Sequence, residues 1–134
     1  MKFVIDTNIC FSFFKQNSFT RNLILSAKFR LFAPQFVFTE LDKYKDIILT
    51  KSKINSNEYT NLKKELQTYI TFIDDTQYSS YFTKALQITP DEMDIDFFAL
   101  AMHKNCTIWS NDKKLKEQDE IFVVSTTDIA EEYL

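Results

Sequence analysis

The sequence predicts an α/β fold, a three-layer α/β/α sandwich with a central, mostly parallel sheet of four to five strands. Short apolar runs alternate with amphipathic segments along the 134 residues, 45% of which are hydrophobic. Helix caps precede several of the amphipathic segments. Strands that alternate with helices pair in parallel, because each parallel connection needs a crossover that a helix supplies. A chain of this length fits one domain, which we expect to cover residues 1–134.

The first third of the chain is predicted to run strand, helix, helix, strand. Residues 2–5 are just long enough for a short buried strand, and the polar residues 6–8 end it. Helices are expected over residues 8–15 and around residues 23–27. Residues 29–33 form the second short apolar run and are predicted as the next strand.

A proline and a capping motif mark the middle third. Pro34 ends the second strand and is predicted in the first turn of a helix, where its missing N–H is no loss. Apolar residues from 37 to 48 recur at spacings of four, three and four, which predicts one continuous amphipathic helix. Asn55 and Glu58 form a capping box for the following helix. A strand over residues 69–73 comes next.

The last third repeats the alternation of helix and strand. A helix is expected over residues 78–86, and the sequence Thr-Pro-Asp-Glu at 89–92 predicts another helix start with the threonine as its cap. That helix continues to Met102 and is apolar on most sides, which marks it as central. Strands over residues 106–109 and 121–124 follow, before a short C-terminal helix.

Composition excludes several classes of protein. Glycine is absent, which excludes the GxGxxG and Walker A motifs of nucleotide-binding proteins. Left-handed backbone positions must then fall to residues such as Asn17 and Asn105. His103 is the one histidine, so zinc motifs with two histidines are excluded.

Net charge and cysteine content indicate which partners and which cellular compartment to expect. A net charge of −3 and a pI near 5.2 argue against a broad basic surface for nucleic acid. Cys10 and Cys106 lie far apart in sequence, and we interpret both as reduced and mostly buried. No apolar run has the length of a bilayer span, and no secretory leader is apparent. We therefore expect a cytoplasmic protein without a membrane segment.

Four acidic residues are predicted to meet at one edge of the sheet. Asp6 and Asp112 each follow a strand, and ligands of open parallel sheets bind outside the carboxyl ends of the strands. Glu40 and Asp94 lie on helices that can point them to the same edge. Clustered carboxylates raise one another's pKa unless a cation compensates. Hard oxygen ligands without His or Cys suit Mg²⁺ or Mn²⁺.

Each of these acids also has a purely structural interpretation. Asp6 and Asp112 are good helix caps, Glu40 fits an exposed position beside an apolar stripe, and Asp94 fits a surface acid.

The third acid has two neighbours that compete for its place. At 100° per residue, Asp94 lies within about 60° of Asp91 and roughly 160° from Asp96. Because this helix is apolar on most sides, its periodicity does not decide between them.

Polar and basic residues next to these acids are predicted to assist the site. Thr7, Asn8 and Ser110 can hold the carboxylates, or a metal-bound water, by hydrogen bonds. Lys113 and Lys114 follow Asp112 directly and are either phosphate contacts or solvated loop residues.

Four motifs together resemble the PIN domain family, the nuclease fold that includes the toxins of VapBC-type toxin–antitoxin pairs. They are Val-Ile-Asp-Thr-Asn at 4–8, Thr-Glu-Leu at 39–41, the run from 94 to 101, and Trp-Ser-Asn-Asp at 109–112. The resemblance covers nearly the whole chain and rests on the ordered set, since no single motif is specific.

The resemblance implies a PIN-like fold and a function. By it, Asp6, Glu40, Asp94 and Asp112 are the catalytic, metal-binding quartet, and the family spacing to Ala-Leu-Ala at 99–101 favours Asp94 over its neighbours. The implied activity is cleavage of RNA with Mg²⁺ or Mn²⁺. The implied partners are an RNA substrate, an antitoxin protein and a second copy of the chain in a homodimer.

Two other functions are open to this sequence. One is a PIN-fold protein that binds RNA or a protein without cleaving. The acidic pI and the absence of an obvious basic stripe favour it, whereas four acids at the expected places favour the nuclease more strongly. The other makes Asp6 a phospho-acceptor. Haloacid-dehalogenase-like phosphatases need a second aspartate where Asn8 stands. Receiver domains need an acidic pair before the acceptor strand, and this sequence starts too close to Asp6 to hold that pair.

Overall fold

A five-stranded, all-parallel sheet forms the centre of the computed structural model, which describes residues 1–133. Residue 134 of the predicted domain lies outside the described residues. The sheet order is β3-β2-β1-β4-β5, which confirms the predicted mostly parallel sheet and puts the first strand in its middle. The strands are β1 (Lys2–Ile5), β2 (Arg30–Pro34), β3 (Ile70–Ile73), β4 (Thr107–Trp109) and β5 (Val123–Val124).

Helices cover both faces of the sheet. Phe3, Val4 and Ile5 point alternately to the two faces of β1, yet each is at most 1% exposed. The three predicted layers are therefore present. The helices are α1 (Thr7–Ser12), α2 (Phe19–Leu25), α3 (Gln35–Glu40), α4 (Lys45–Ser52), α5 (Ser56–Tyr69), α6 (Phe82–Ile88), α7 (Ile95–Lys104) and α8 (Thr126–Tyr133).

The register of β1 and β4 brings their ends together. Ile5 pairs with Trp109, and the Asp6 N–H donates a hydrogen bond to the Trp109 carbonyl at 3.4 Å. Because the two strands are parallel neighbours, Asp6 and Ser110 emerge side by side at the carboxyl edge. The helix α7, predicted to be central, contacts β1, β2 and β4 and has a fully buried stretch from Phe97 to Ala101.

Two predicted helix boundaries are wrong. The segment 37–48 is not one helix: Tyr44 leaves the helical conformation at φ −103°, ψ 13°, and separates α3 from α4. Leu41 and Ile48, on either side of this break, are both buried. Thr89 does not start a helix but ends α6, where its hydroxyl donates to the Ala85 carbonyl.

Other local predictions are confirmed or shifted by a few residues. Asn55 and Glu58 form the predicted capping box. Pro34 is the last residue of β2 and the N-cap of α3, one position before the predicted first turn. The helix expected over 8–15 ends at Ser12, and a 3-10 turn over Ser79–Tyr81 precedes α6.

The absence of glycine has a visible effect on the backbone. Four described residues have positive φ: Asn17 (64°), Ala27 (56°), Lys53 (56°) and Asn105 (51°). The two asparagines were predicted, since asparagine tolerates the left-handed region. Ala27 and Lys53 were not, because neither residue type signals such a conformation.

The cysteines are both free, Cys10 buried and Cys106 half-buried. Over residues 1–133, no helix combines the length and apolar character needed to cross a membrane.

Candidate acidic site at the carboxyl edge of the sheet

Asp6 is both a helix cap and the most buried acid of the site. Its Oδ1 accepts a hydrogen bond from the Ile9 backbone N–H at 3.0 Å, which caps α1. Its Oδ2 accepts one from the Ser110 hydroxyl. The side chain is held on two sides, and the residue is only 7% exposed. The cap and the site, which the sequence offers as alternatives, therefore coexist in one residue.

The environment of Asp6 penalises its negative charge. Burial raises the pKa of this carboxyl, while the hydrogen bonds from Ser110 and the Ile9 amide act in the opposite direction. The charge of Asp112 raises the pKa further. The net result is a pKa above the ordinary value for aspartate. A buried carboxylate of this kind gains stability from a nearby cation.

Asp112 is tied to Asp6 through Ser110. The Asp112 backbone N–H donates to Ser110 Oγ at 3.0 Å, so this hydroxyl accepts from one acid's backbone and donates to the other acid's carboxylate. Asp112 Oδ1 accepts from the Lys114 N–H at 3.0 Å and caps the 3-10 turn Lys113–Glu117.

Asn111 fixes the same loop to α8, because its Oδ1 accepts from the Thr126 N–H at 2.8 Å.

Asp94 is close enough to Asp6 and Asp112 for their charges to interact. Burial and the charges of Asp91, Asp112 and Asp6, in that order, raise the pKa of Asp94 to about 6, and the Lys114 charge opposes them. Asp94 occupies the N-cap position of α7, but its side chain makes no capping hydrogen bond. Three acids from separate elements therefore lie within electrostatic range of one another: Asp6, Asp94 and Asp112.

Asp96 has a different partner. The Tyr78 hydroxyl donates to Asp96 Oδ2 at 2.6 Å, and Tyr78 is 1% exposed. Burial and this hydrogen bond raise the pKa of Tyr78. Asp96 is therefore engaged in packing α7 against the segment before α6, whereas the charge of Asp94 interacts with those of Asp6 and Asp112.

Glu40 lies on the wall of an acidic cavity together with Asp96. The cavity has a volume of about 580 Å³ and is lined by five acids. Besides Glu40 and Asp96, these are Asp74, Asp75 and Glu92. Glu40 ends α3 and is half-buried. Of the four predicted acids, Asp6, Asp94 and Asp112 are therefore close enough for their charges to interact. Glu40 lines the cavity instead.

The predicted supporting residues differ in what they do. Ser110 holds Asp6 as expected. Asn8 acts on the pKa of Asp6 through its backbone amide, and its side chain is exposed. Thr7 is the half-buried first residue of α1. Lys113 and Lys114 are exposed in the turn after Asp112.

Sequence reasoning missed the Ile9 amide and Asn111 as parts of the site. The Ile9 contact follows from the N-cap rule, in which the cap side chain accepts from the second or third helical N–H. The Asn111 contact with α8 joins residues 15 apart, and no local pattern predicts it.

The donor set fits a hydrated divalent cation. Among the described residues, no group of three or more Asp, Glu, His or Cys side chains is positioned to hold a metal ion between them. Mg²⁺, however, keeps several waters and is commonly bound through one or two carboxylates. Carboxylates whose charges raise one another's pKa provide such ligands, and a cation relieves that repulsion.

Comparisons with known proteins agree with this architecture. A family model described as "PIN domain" matches residues 4–122. The fold is similar to the crystal structure of VapBC2 from Rickettsia felis bound to a DNA fragment from their promoter. That match has a TM-score of 0.62 at 22% identity and covers 93% of this chain and 98% of that chain. Among curated proteins, none matches this chain significantly. At 22% identity the structural likeness concerns the fold alone.

Proposed function

The chain belongs to the PIN domain family, and on that premise we propose that it is a divalent-metal-dependent endoribonuclease that hydrolyses RNA phosphodiester bonds. The observation that carries the proposal is the link through Ser110, whose hydroxyl binds the Asp6 carboxylate and the Asp112 backbone at the carboxyl edge. Burial and the charges of Asp91, Asp112 and Asp6 raise the pKa of Asp94, which agrees with a third acid nearby. Three acids that destabilise one another at one edge of the sheet are costly unless they have a cationic ligand.

The chain's own residues would position the reacting groups. When bound, Mg²⁺ or Mn²⁺ supplies the charge that activates a water and neutralises the leaving oxygen. Asp6 and Asp112 are the oriented ligands, because Ser110 and backbone amides already hold both. Asp94, whose side chain makes no capping hydrogen bond, is the ligand that can adjust.

Glu40 is proposed as the fourth acid of the quartet, contributing from the cavity beside the other three. Lys113 and Lys114 are proposed to contact phosphates of the RNA. Their exposure supports this role, as does the effect of the Lys114 charge on the pKa of Asp94.

The biological role proposed is that of a toxin in a toxin–antitoxin pair, acting in the cytoplasm as a homodimer. The likeness to the VapBC2 crystal structure supports the fold on which that role depends. A small antitoxin-like gene next to this one, and relief of growth arrest when both are expressed, are the expected observations. Growth unaffected by expression of this chain alone would contradict the role without affecting the nuclease proposal.

The substitution Asp6→Asn tests the catalytic proposal. Asparagine is as good an N-cap as aspartate, so α1 keeps its cap while the carboxylate charge is lost. We expect single-stranded RNA cleavage with Mg²⁺ or Mn²⁺ to be abolished and the circular dichroism spectrum to be unchanged. Asp119→Asn, which removes one exposed charge, is the matched control. Equal cleavage by wild type and D6N would refute the proposal.

A second candidate is a PIN-fold module that binds RNA or a protein without cleaving. The observation in its favour is the lack, among residues 1–133, of an acid group already arranged around a metal position. Thermal melting with and without Mn²⁺ separates the two, because a ligand of the folded state raises the apparent stability. An unchanged Tm at saturating Mn²⁺ would favour the non-catalytic module.

A further inference from the structure

A groove lies between α1 and α4, with a volume of about 370 Å³. One of its lining residues is Asn8, which follows Asp6 of the acidic site by two positions. On one side the groove is lined by Asn8, Phe11 and Ser12, which share one face of α1, and by Lys15 in the turn that follows this helix. The opposite wall is the corresponding face of α4, which includes Ile47 and Lys51.

The charge of this groove is opposite to that of the Glu40 cavity. Lys15 and Lys51 are the charged residues that line it, and both are exposed. The ion pairs within residues 1–133 engage Lys63 and Lys116 instead. The ammonium groups of Lys15 and Lys51 are thus available to an anion. In a chain of net charge −3, a groove with two cations and no lining acid is a distinct electrostatic feature.

The surface between the two lysines is apolar and partly aromatic. The rings of Phe11 and Tyr44 meet edge to face with centroids 5.8 Å apart. Ile47 is 53% exposed and adds an uncovered apolar side chain. Aromatic and apolar surface flanked by cations matches single-stranded nucleic acid, in which bases stack on rings while the phosphates contact lysines.

We propose that this groove binds the single-stranded RNA that flanks the cleavage position, with Lys15 and Lys51 on its phosphates. The inference rests on the proposed ribonuclease function and specifies where its substrate lies. The alternative exit past Glu40 and Asp96 passes five acids, which repel a polyanion. The groove and the Glu40 cavity therefore differ in charge, and this difference favours a path for the strand along α1 and α4.

The experiment compares two double substitutions that remove the same charge. K15A/K51A removes the groove cations, and K28A/K84A removes two exposed lysines outside the groove. Binding of a fluorescein-labelled single-stranded RNA is measured by anisotropy over a range of NaCl, with D6N added to every protein to prevent cleavage. KM and kcat are then measured for the same double variants without D6N.

The salt dependence should identify the groove. For a single strand, the slope of log K against log salt is about −0.7 per phosphate contact. We expect K15A/K51A to reduce the magnitude of the slope by about 1.4, to raise KM and to leave kcat unchanged. K28A/K84A should leave the slope unchanged.

Two results separate the groove from the catalytic proposal. Identical slopes for the groove variant and the control would overturn the groove assignment, even if wild type cleaves RNA, and a protein segment would then be the occupant. If wild type fails to cleave RNA but K15A/K51A still reduces the magnitude of the salt slope, the ribonuclease proposal fails and the groove assignment stands.

Discussion

The Ser110 hydroxyl donates a hydrogen bond to the Asp6 carboxylate, joining the ends of β4 and β1 across 104 residues of sequence. The same hydroxyl accepts from the Asp112 N–H at 3.0 Å. One buried serine therefore sets the position of two acids. The contact exists because Ile5 and Trp109 are register partners in adjacent parallel strands.

Removing this hydroxyl should weaken metal binding more than stability. In Ser110→Ala, Asp6 loses the hydrogen bond that lowers its pKa, so the pKa should rise and the acid limb of the pH–rate profile should move to higher pH. Loss of such a supporting contact typically costs about 10- to 100-fold in metal affinity or activity. Isothermal titration with Mn²⁺ and pH–rate profiles measure both effects. Ser26→Ala, on an exposed serine, is the control; equal metal affinity in S110A and S26A would contradict the prediction.

Substitution of Asp94 should reduce RNA cleavage far more than substitution of Asp96. We expect Asp94→Asn to lower kcat/KM by at least about 100-fold, the size seen when one group that stabilises transition-state charge is lost. Asp96→Asn should retain cleavage but lose about 1 kcal/mol of unfolding free energy, because the Tyr78 hydrogen bond becomes neutral. RNA cleavage assays and urea denaturation of both variants measure this. The assignment is wrong if D96N loses as much activity as D94N.

The contribution of Asp94 to the stability of the metal-free protein should fall as pH rises from about 4 to 6. The pKa of Asp94 is about 6 in the folded protein against 3.8 ordinarily. Between these values the folded state holds more protons than the unfolded state, so unfolding free energy decreases with rising pH. Asp94→Asn should remove this slope and gain about 1 kcal/mol at pH 7, a figure discounted for solvent screening.

Urea denaturation in EDTA at several pH values tests this linkage. Asp119→Asn is again the control for loss of one exposed charge. Parallel pH profiles for wild type and D94N would show that Asp94 titrates alike in the folded and unfolded states.

A glycine should be beneficial where this chain has an alanine at positive φ. Ala27 has φ 56°, a left-handed conformation that costs an alanine roughly 1–2 kcal/mol and a glycine little. Part of that gain is lost to the greater freedom of glycine in the unfolded chain. Ala27→Gly should therefore raise the unfolding free energy by about 0.5 kcal/mol.

The opposite effect is expected at Ala85, which is buried within α6. Ala85→Gly should cost about 1 kcal/mol, the difference in helix propensity. Urea denaturation measures both variants, and destabilisation in both would mean that the Ala27 conformation carries no strain.

Local patterns were sufficient for most of the fold. The PIN domain resemblance is confirmed by the family match over residues 4–122. The strand order in sequence, the Asn55 capping box and the left-handed asparagines depend on neighbouring residues, so the sequence predicts them. The prediction of one helix over residues 37–48 was wrong. The spacing of apolar residues does not reveal the break at Tyr44, because apolar residues on both sides of it are buried.

By itself, the sequence determined that Asp6 and Ser110 each follow a strand, since short apolar runs and the polar residues after them are local signals. Only the tertiary structure decided that these two strands are neighbours in register, that Asp94 lies within electrostatic range of Asp6 and Asp112, and that Asp96 binds Tyr78. The helix α7 is apolar on most sides, so its own residues do not specify its rotation. That rotation follows from packing against β1, β2 and β4, which lie far away in sequence.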